Sequence, residues 1–404
     1  MKLNYKHTII ACCTSYITQA VVVNFAPLLF VQFGKQFDIS LSEISLLITV
    51  CFGVELAVDL LTAKYSDKFS QRSLIISALI IAMLGIGGFA IFPFWFKNPY
   101  WGLVISNVFC GIGGGLMEVL ISPIIEACPT ENKSGNMSLL HSFYCWGQAS
   151  VIIITTLFIL FAGIENWRII ALLWTVVPLI ALVMFIFVPI YGDPSKLPPE
   201  ARAEKAQRTS IGSLLKNPVF LLFFGIMVCS GASELAMSQW SSSFAESGLG
   251  ISKALGDIFG PCLFGILMGM ARILYSKFSD HLNPTVCMLV SSVLCALSYL
   301  VAALSPIRLI SLLGCSLCGF SVGILWPCAL SLAAERINGS VTLFALLAVG
   351  GDLGCLIGPA ATGAVADAFG GNIAVSFIFA MIFPVALIIF ISVLNRGKKA
   401  RKRS

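Results

Sequence analysis

Twelve stretches of predominantly apolar sequence, each about 20 residues or longer, constrain this chain more than any other feature. They cover residues 8–33, 42–63, 73–96, 100–127, 137–162, 167–190, 219–245, 255–276, 285–304, 308–334, 341–366 and 372–394. A 20-residue helix rises about 30 Å, the thickness of a bilayer's hydrocarbon core. Inside lipid every backbone polar group must be satisfied by the chain itself, which leaves only helices or a closed barrel. Runs of this length, rather than alternating segments of about ten residues, predict helices. Composition agrees. The chain is 58% hydrophobic and 11% charged, whereas a soluble domain carries roughly 25% charged residues. The expected fold class is an all-α integral membrane protein with twelve transmembrane helices, leaving no stretch for a separate soluble domain.

The first run follows Lys2 and Lys6, as a signal peptide would. It is longer than an ordinary signal core and contains Gln19 and Asn24, so it reads as an uncleaved first helix. Basic residues set the expected orientation. With the N-terminus inside, all but six of the 25 Lys and Arg fall on the inner side. Lys35, Lys97, Arg168, Lys253 and Arg308 fall outside, and Arg272 lies within a helix. Both termini are thus expected in the cytoplasm, in a multi-pass protein of the plasma membrane. The tail RGKKARKRS reads as a positive-inside anchor after the last helix, in preference to a site for nucleic acid or anionic lipid. Most of the 14 cysteines lie inside the predicted helices, the Cys315/Cys318 pair included, and read as small packing residues.

The longest hydrophilic segment, 192–217, divides the chain into halves. The expected organisation is a six-helix bundle at 1–191, a cytoplasmic linker at 192–217, a second bundle at 218–395 and a basic tail at 396–404. The halves repeat. AKYSDKF (63–69) returns as SKFSDHL (276–282), 213 residues later. Cys110, Gly111 and Gly115 return as Cys318, Gly319 and Gly323, 208 residues later. Weak internal symmetry of this kind marks secondary transporters, whose substrate sites lie near the membrane midplane between repeats.

The 6+6 arrangement, the central basic linker and the turn built from Asp67, Lys68, Ser70 and Arg72 resemble the major facilitator superfamily. The turn departs from the superfamily pattern at Ala63 and Ser70, where glycines are usual. More narrowly, GGLMEVLISP, LLHSFYCWG (139–147) and SELAMSQWSSSF (233–244) resemble helices four, five and seven of the fucose–proton symporter family. Ser122 stands where that family has asparagine, Phe244 where tyrosine is frequent, and helix one offers Gln19 and Asn24 in place of an acid. The resemblance implies alternating access, a sugar or related polyol as substrate, and coupling to protons or sodium.

The residues point to a site independently. Glu118 lies a little past the middle of its run, where a carboxylate costs roughly 2.5–3.5 kcal/mol even on insertion scales. Ser122 shares its helix face, Pro123 weakens the turn below, and Gly113, Gly114 and Gly115 offer a close-approach surface. The repeat pairs Glu118 with Trp326, expected across one cavity: an acceptor of hydroxyl hydrogen bonds and a flat apolar face. Glu234, Asn24, Gln19, His141, Gln239 and Trp240 are the further candidate ligand contacts, with Tyr144, Trp146 and Gln148 clustered near His141. Glu126, about 12 Å beyond Glu118 along the axis, is expected near the cytoplasmic surface as a gate. Glu55 and Asp59 sit one turn apart, and Asp59 corresponds to Arg272 in the repeat; gating or coupling is expected of all three. Asp352 sits among Gly350, Gly351, Gly354 and Gly358, whose four-residue spacing predicts close helix packing. Asp67, Lys68, Arg72 and Asp280 are expected to lock alternate conformations.

No phosphate loop, zinc motif or nucleophile constellation occurs in the sequence, and GIGGG lacks the lysine and preceding strand that phosphate binding requires. The expectation is therefore a non-enzymatic transporter without cofactor or nucleic-acid partner. It would act as a monomer in the lipid bilayer on a small-molecule substrate and a coupling ion. A drug or cation–proton antiporter and a non-transporting membrane sensor are the alternatives.

Overall fold

The structure, a computed structural model, describes residues 3–39, 41–65, 69–193, 211–251, 255–256, 258–337 and 340–401. Among the described residues, twelve long helical segments follow the twelve apolar runs. They are α1 (Tyr5–Leu28), α2 (Leu41–Tyr65), α3 (Gln71–Ile91), α4 (Pro99–Ala127), α5 (Lys133–Ala162) and α6 (Ile164–Phe187) in the first half. The second half has α7 (Pro218–Ser243), α8 (Ile258–His281), α9 (Pro284–Leu304), α10 (Arg308–Ile337), α11 (Val341–Ala368) and α12 (Ile373–Asn395). Among the described residues eleven segments are long and apolar enough to cross a membrane. The run not among the eleven is the second, α2, a 25-residue helix carrying Glu43, Glu55, Asp59 and Lys64.

Local sequence explains where the helices begin. α4, α7 and α9 each start at Asn-Pro. Asn98, Asn217 and Asn283 accept hydrogen bonds from the backbone N–H of Tyr100, Val219 and Thr285 at 3.0, 2.9 and 3.0 Å. The following proline sits where no N–H is needed. Asn4 and His7 form a reciprocal cap on α1.

The chain separates into two compact units. The first comprises Met1–Glu131, Phe143–Ser210 and Ser340–Ala345; the second comprises Asn132–Ser142, Ile211–Gly339 and Leu346–Ser404. The first turns of α5 and α11 are thereby divided from the rest of their helices.

Within the first unit, small residues set the helix approach, as expected where lipid offers no hydrophobic drive between helices. A Cβ on Gly85 of α3 would lie 2.7 Å from the Cys110 backbone N, and one on Gly113 of α4 would lie 2.7 Å from Ala82 Cβ. Phe33, Phe37, Phe94 and Trp167 pack together at one end, with the Trp167 indole donating to Gln36 Oε1 at 2.9 Å. Arg72 donates to the carbonyls of Phe185, Ile186 and Val188, satisfying the end of α6.

In the second unit the Gly350–Gly354–Gly358 ladder packs as its spacing predicts. Gly354 and Gly358 meet the backbone of Val228 and Ala232 on α7, and Gly350 meets Phe224. None of the 14 cysteines forms a disulfide among the described residues. Cys295 and Cys318, fully buried, bring their sulfurs to 3.8 Å between α9 and α10.

Candidate functional site

Glu118 is held by the first helix. Gln19 Nε2 donates to Glu118 Oε2 at 2.7 Å. One turn along, the Tyr16 hydroxyl and Ser122 Oγ share a buried hydrogen bond of 3.1 Å. Tyr16 and Gln19 are three apart on α1, and Glu118 and Ser122 are four apart on α4. Two polar rungs therefore join the same pair of helix faces. Gln19 is 5% exposed, and its Oε1 is buried and accepts no hydrogen bond from the described residues. Glu118 is half-buried. Asn24 donates instead to the Ala20 carbonyl of its own helix, at 2.9 Å. α4 continues through Pro123 to Ala127, and Glu126 sits half-buried at its end.

The glycines beside Glu118 receive other helices. A Cβ on Gly115 would lie 3.2 Å from Glu55 Cα and 3.3 Å from Asp59 Oδ1, and one on Gly114 would meet Glu55 Oε1. Glu55 and Asp59 are 5% and 1% exposed. The glycine run is thus the surface on which α2 brings two carboxylates against α4.

The second unit has a different polar centre. Arg272 of α8, 4% exposed, donates Nε–H to the Gly323 carbonyl at 2.8 Å and Nη1–H to the His141 carbonyl at 2.9 Å. Its Nη2 lies 3.8 Å from Glu234 Oε2. Ser138 Oγ donates to the Arg272 carbonyl at 2.8 Å, and Ser134 Oγ lies 3.0 Å from the Tyr275 hydroxyl. A planar guanidinium with five donors suits such a cage of carbonyls and one carboxylate.

The structure brings Gln19, Glu118 and Ser122 together, Glu55 with Asp59, and Glu234 with Arg272 and the His141 backbone. Trp326, half-buried, lays its ring over Gly351. Trp240 donates to the Pro359 carbonyl at 3.0 Å and packs over Gly363, while Gln239 beside it is exposed. Asp352 is half-buried, and Asp280 is exposed in the turn ending α8. Asp67 and Lys68 lie outside the described residues. Sequence reasoning missed Tyr16, whose position one turn before Gln19 was the available signal. It also missed the carbonyl cage of Arg272, for which no signal exists because carbonyls belong to every residue.

Comparison with known proteins places these observations. The sequence matches the Major Facilitator Superfamily over residues 8–348. It finds no match among curated proteins. In fold the chain is similar to FucP, a Major Facilitator Superfamily transporter in an outward conformation. The TM-score is 0.81 at 14% identity, covering 95% of this chain and 98% of that one. A variant of the Escherichia coli fucose:proton symporter FucP gives 0.78 at 15% identity, over the same shares. The proton:xylose symporter XylE bound to 6-bromo-6-deoxy-D-glucose gives 0.75 at 12% identity, over 95% of this chain and 94% of that one.

Proposed function

The chain belongs to the Major Facilitator Superfamily, and from that premise we propose that this transporter moves a sugar or related polyol by alternating access, driven by a proton or sodium gradient. The observation that carries the reading is Glu118 held by Gln19. Gln19 donates one hydrogen bond to this carboxylate, an acceptor suited to hydroxyl donors. Because the Gln19 amide nitrogen faces Glu118, its buried Oε1 stands beside the acid as a second acceptor. Two neighbouring acceptors suit two neighbouring hydroxyl donors. The Tyr16–Ser122 rung, whose hydroxyls both donate and accept, extends the polar surface. The similarity in fold to fucose:proton and xylose:proton symporters supports the substrate class.

In this reading Gln19, Asn24, Glu118 and Ser122 bind substrate from the first half. His141 of α5, Glu234, Gln239 and Trp240 of α7, and Trp326 of α10 are the further candidate contacts. Glu55, Asp59, Glu126, Arg272 and Asp352 couple or gate, and the turn residues Asp67, Lys68, Arg72 and Asp280 bias the conformation. The positive-inside bias supports cytoplasmic termini in the plasma membrane, and the protein acts as a monomer.

The test is ligand-dependent thermal stability of the detergent-solubilised protein at two pH values, wild type against Glu118→Gln. The ligands are sugars, polyols and lipophilic cations. A ligand that binds only the folded state raises its stability by mass action. A sugar that stabilises wild type but not the variant upholds the reading. Stabilisation by cations alone replaces it with cation–proton antiport. Equal stabilisation of both proteins by a sugar removes Glu118 from the site.

A further inference from the structure

We infer that Gly351 of α11 is a positioning residue: it seats the Trp326 indole at the depth where the ring stacks on the C–H face of a sugar. The inference rests on the sugar reading above and adds to it the residue that places the ring. Gly350, Gly354 and Gly358 form the ladder that meets α7. Gly351 lies just off that ladder, and what it meets is a side chain. A Cβ there would run into Cη2 and Cζ3 of Trp326 and lie 2.8 Å from Cζ2. The indole therefore occupies the space that a side chain at 351 would take. These atoms form the outer edge of the six-membered ring. The pyrrole edge, with its N–H, lies on the far side of the indole from the glycine.

Gly351 is the middle of three layers. On its other side is α7, where a Cβ on Gly231 would meet the Gly351 carbonyl. Gly354 and Gly358, in the turns that follow, hold α11 against the backbone of Val228 and Ala232. α11 cannot withdraw from the ring without losing these backbone contacts. A methyl at position 351 must therefore move the ring.

The backbone end of Trp326 is fixed separately. α10 consists of two helical pieces, Arg308–Val322 and Leu325–Ile337, and Trp326 is the second residue of the second piece. Pro327 has no N–H to offer the Gly323 carbonyl, and Arg272 donates to that carbonyl at 2.8 Å. Glu234 lies 3.8 Å from the same guanidinium. α8 thus holds the root of Trp326, α11 holds its outer edge, and a carboxylate stands on the same arginine. An aromatic face takes up apolar C–H groups, while hydroxyls go to acceptors. Stacking is sensitive to separation, since a gap of 0.5–1 Å forfeits about a quarter to a half of the attraction. By setting the depth of the ring, Gly351 governs which sugar fits over it.

The experiment labels the protein with fluorotryptophan and assigns the Trp326 fluorine resonance by its loss in Trp326→Phe. Fucose and xylose are the probes, with affinity read from the sugar-dependent melting temperature. In wild type, bound sugar is expected to shift the Trp326 resonance. Gly351→Ala is expected to shift it without sugar and to weaken sugar binding about tenfold, the loss of about 50 Å² of apolar contact. A phenyl ring does not reach as far as an indole. In the Trp326→Phe background, Gly351→Ala should therefore change affinity by less than about twofold. Equal weakening in both backgrounds assigns the glycine to helix packing alone and overturns the inference. A Trp326 resonance that stays unmoved while sugar raises the melting temperature also overturns it, and leaves the sugar reading standing. If neither sugar stabilises wild type, the sugar reading fails and this inference falls with it. Should Gly351→Ala fold only together with Trp326→Phe, that rescue upholds the seat, and the wild-type resonance decides the stacking.

Discussion

The contact of α2 with α4 and that of α8 with α10 are the same construction used twice, each within its own unit. In the first, Gly111 lies against the Cys51 carbonyl and Gly115 against Glu55. In the second, Gly319 lies against Phe264 and Gly323 against the Met268 carbonyl. The glycines are related by 208 residues, and their partners Cys51 and Phe264, or Glu55 and Met268, by 213. Both repeat offsets thus converge on the same contacts. Side chains at equivalent places differ completely: Glu55 becomes Met268, Asp59 becomes Arg272, and Glu118 becomes Trp326. Backbone approach leaves no room for a Cβ, so the glycines recur. The polar positions beside them carry no such steric constraint, and the halves diverge there.

The comparison breaks first at Arg272. Replacing it with leucine strands Glu234 and two carbonyls, and the expected destabilisation is about 3 kcal/mol. Asp59→Asn at the equivalent place keeps the shape, exchanges one acceptor oxygen for an amide donor, and should shift the melting temperature far less. A larger loss in Asp59→Asn would mean that the first half also depends on a buried charge.

The glycine contacts give the next largest effect. Gly319→Ala and Gly111→Ala each force a methyl against backbone, with an expected cost of about 1–3 kcal/mol. Gly53, which has open space around it, should accept alanine without loss of melting temperature. Equal stability of Gly319→Ala and Gly53→Ala would show that the close approach is not maintained.

The smallest effect sharpens the first-half site. Tyr16→Phe removes one membrane-buried hydrogen bond, worth about 0.6–1 kcal/mol. If Tyr16 and Ser122 act together, a double-mutant cycle with Ser122→Ala should recover that energy as coupling. Additive losses would dissolve the rung.

Much of the fold was legible in advance. The apolar runs announce the helices, because bilayer thickness and backbone satisfaction allow few other outcomes. Glu118, Gln19 and Ser122 stood out because polar groups in apolar helices need partners. The partners themselves were less legible. Nothing in one helix's sequence says which neighbour its polar face meets, so Tyr16 went unnoticed. Arg272 was visible as an arginine in an apolar run and as the repeat counterpart of Asp59. Its carbonyl ligands at His141 and Gly323 come from backbone groups 131 and 51 residues away.

By itself, the sequence determined the class of molecule, the helix count and the internal repeat, since each follows from hydropathy, length and short-range chemistry along one chain. Only the tertiary structure decided that Glu118 meets Gln19, that Arg272 is caged by carbonyls beside Glu234, and that Trp326 lies over Gly351. Those are contacts between faces of separate helices. Their pairing depends on rotation and depth in the packed bundle, which no local pattern encodes.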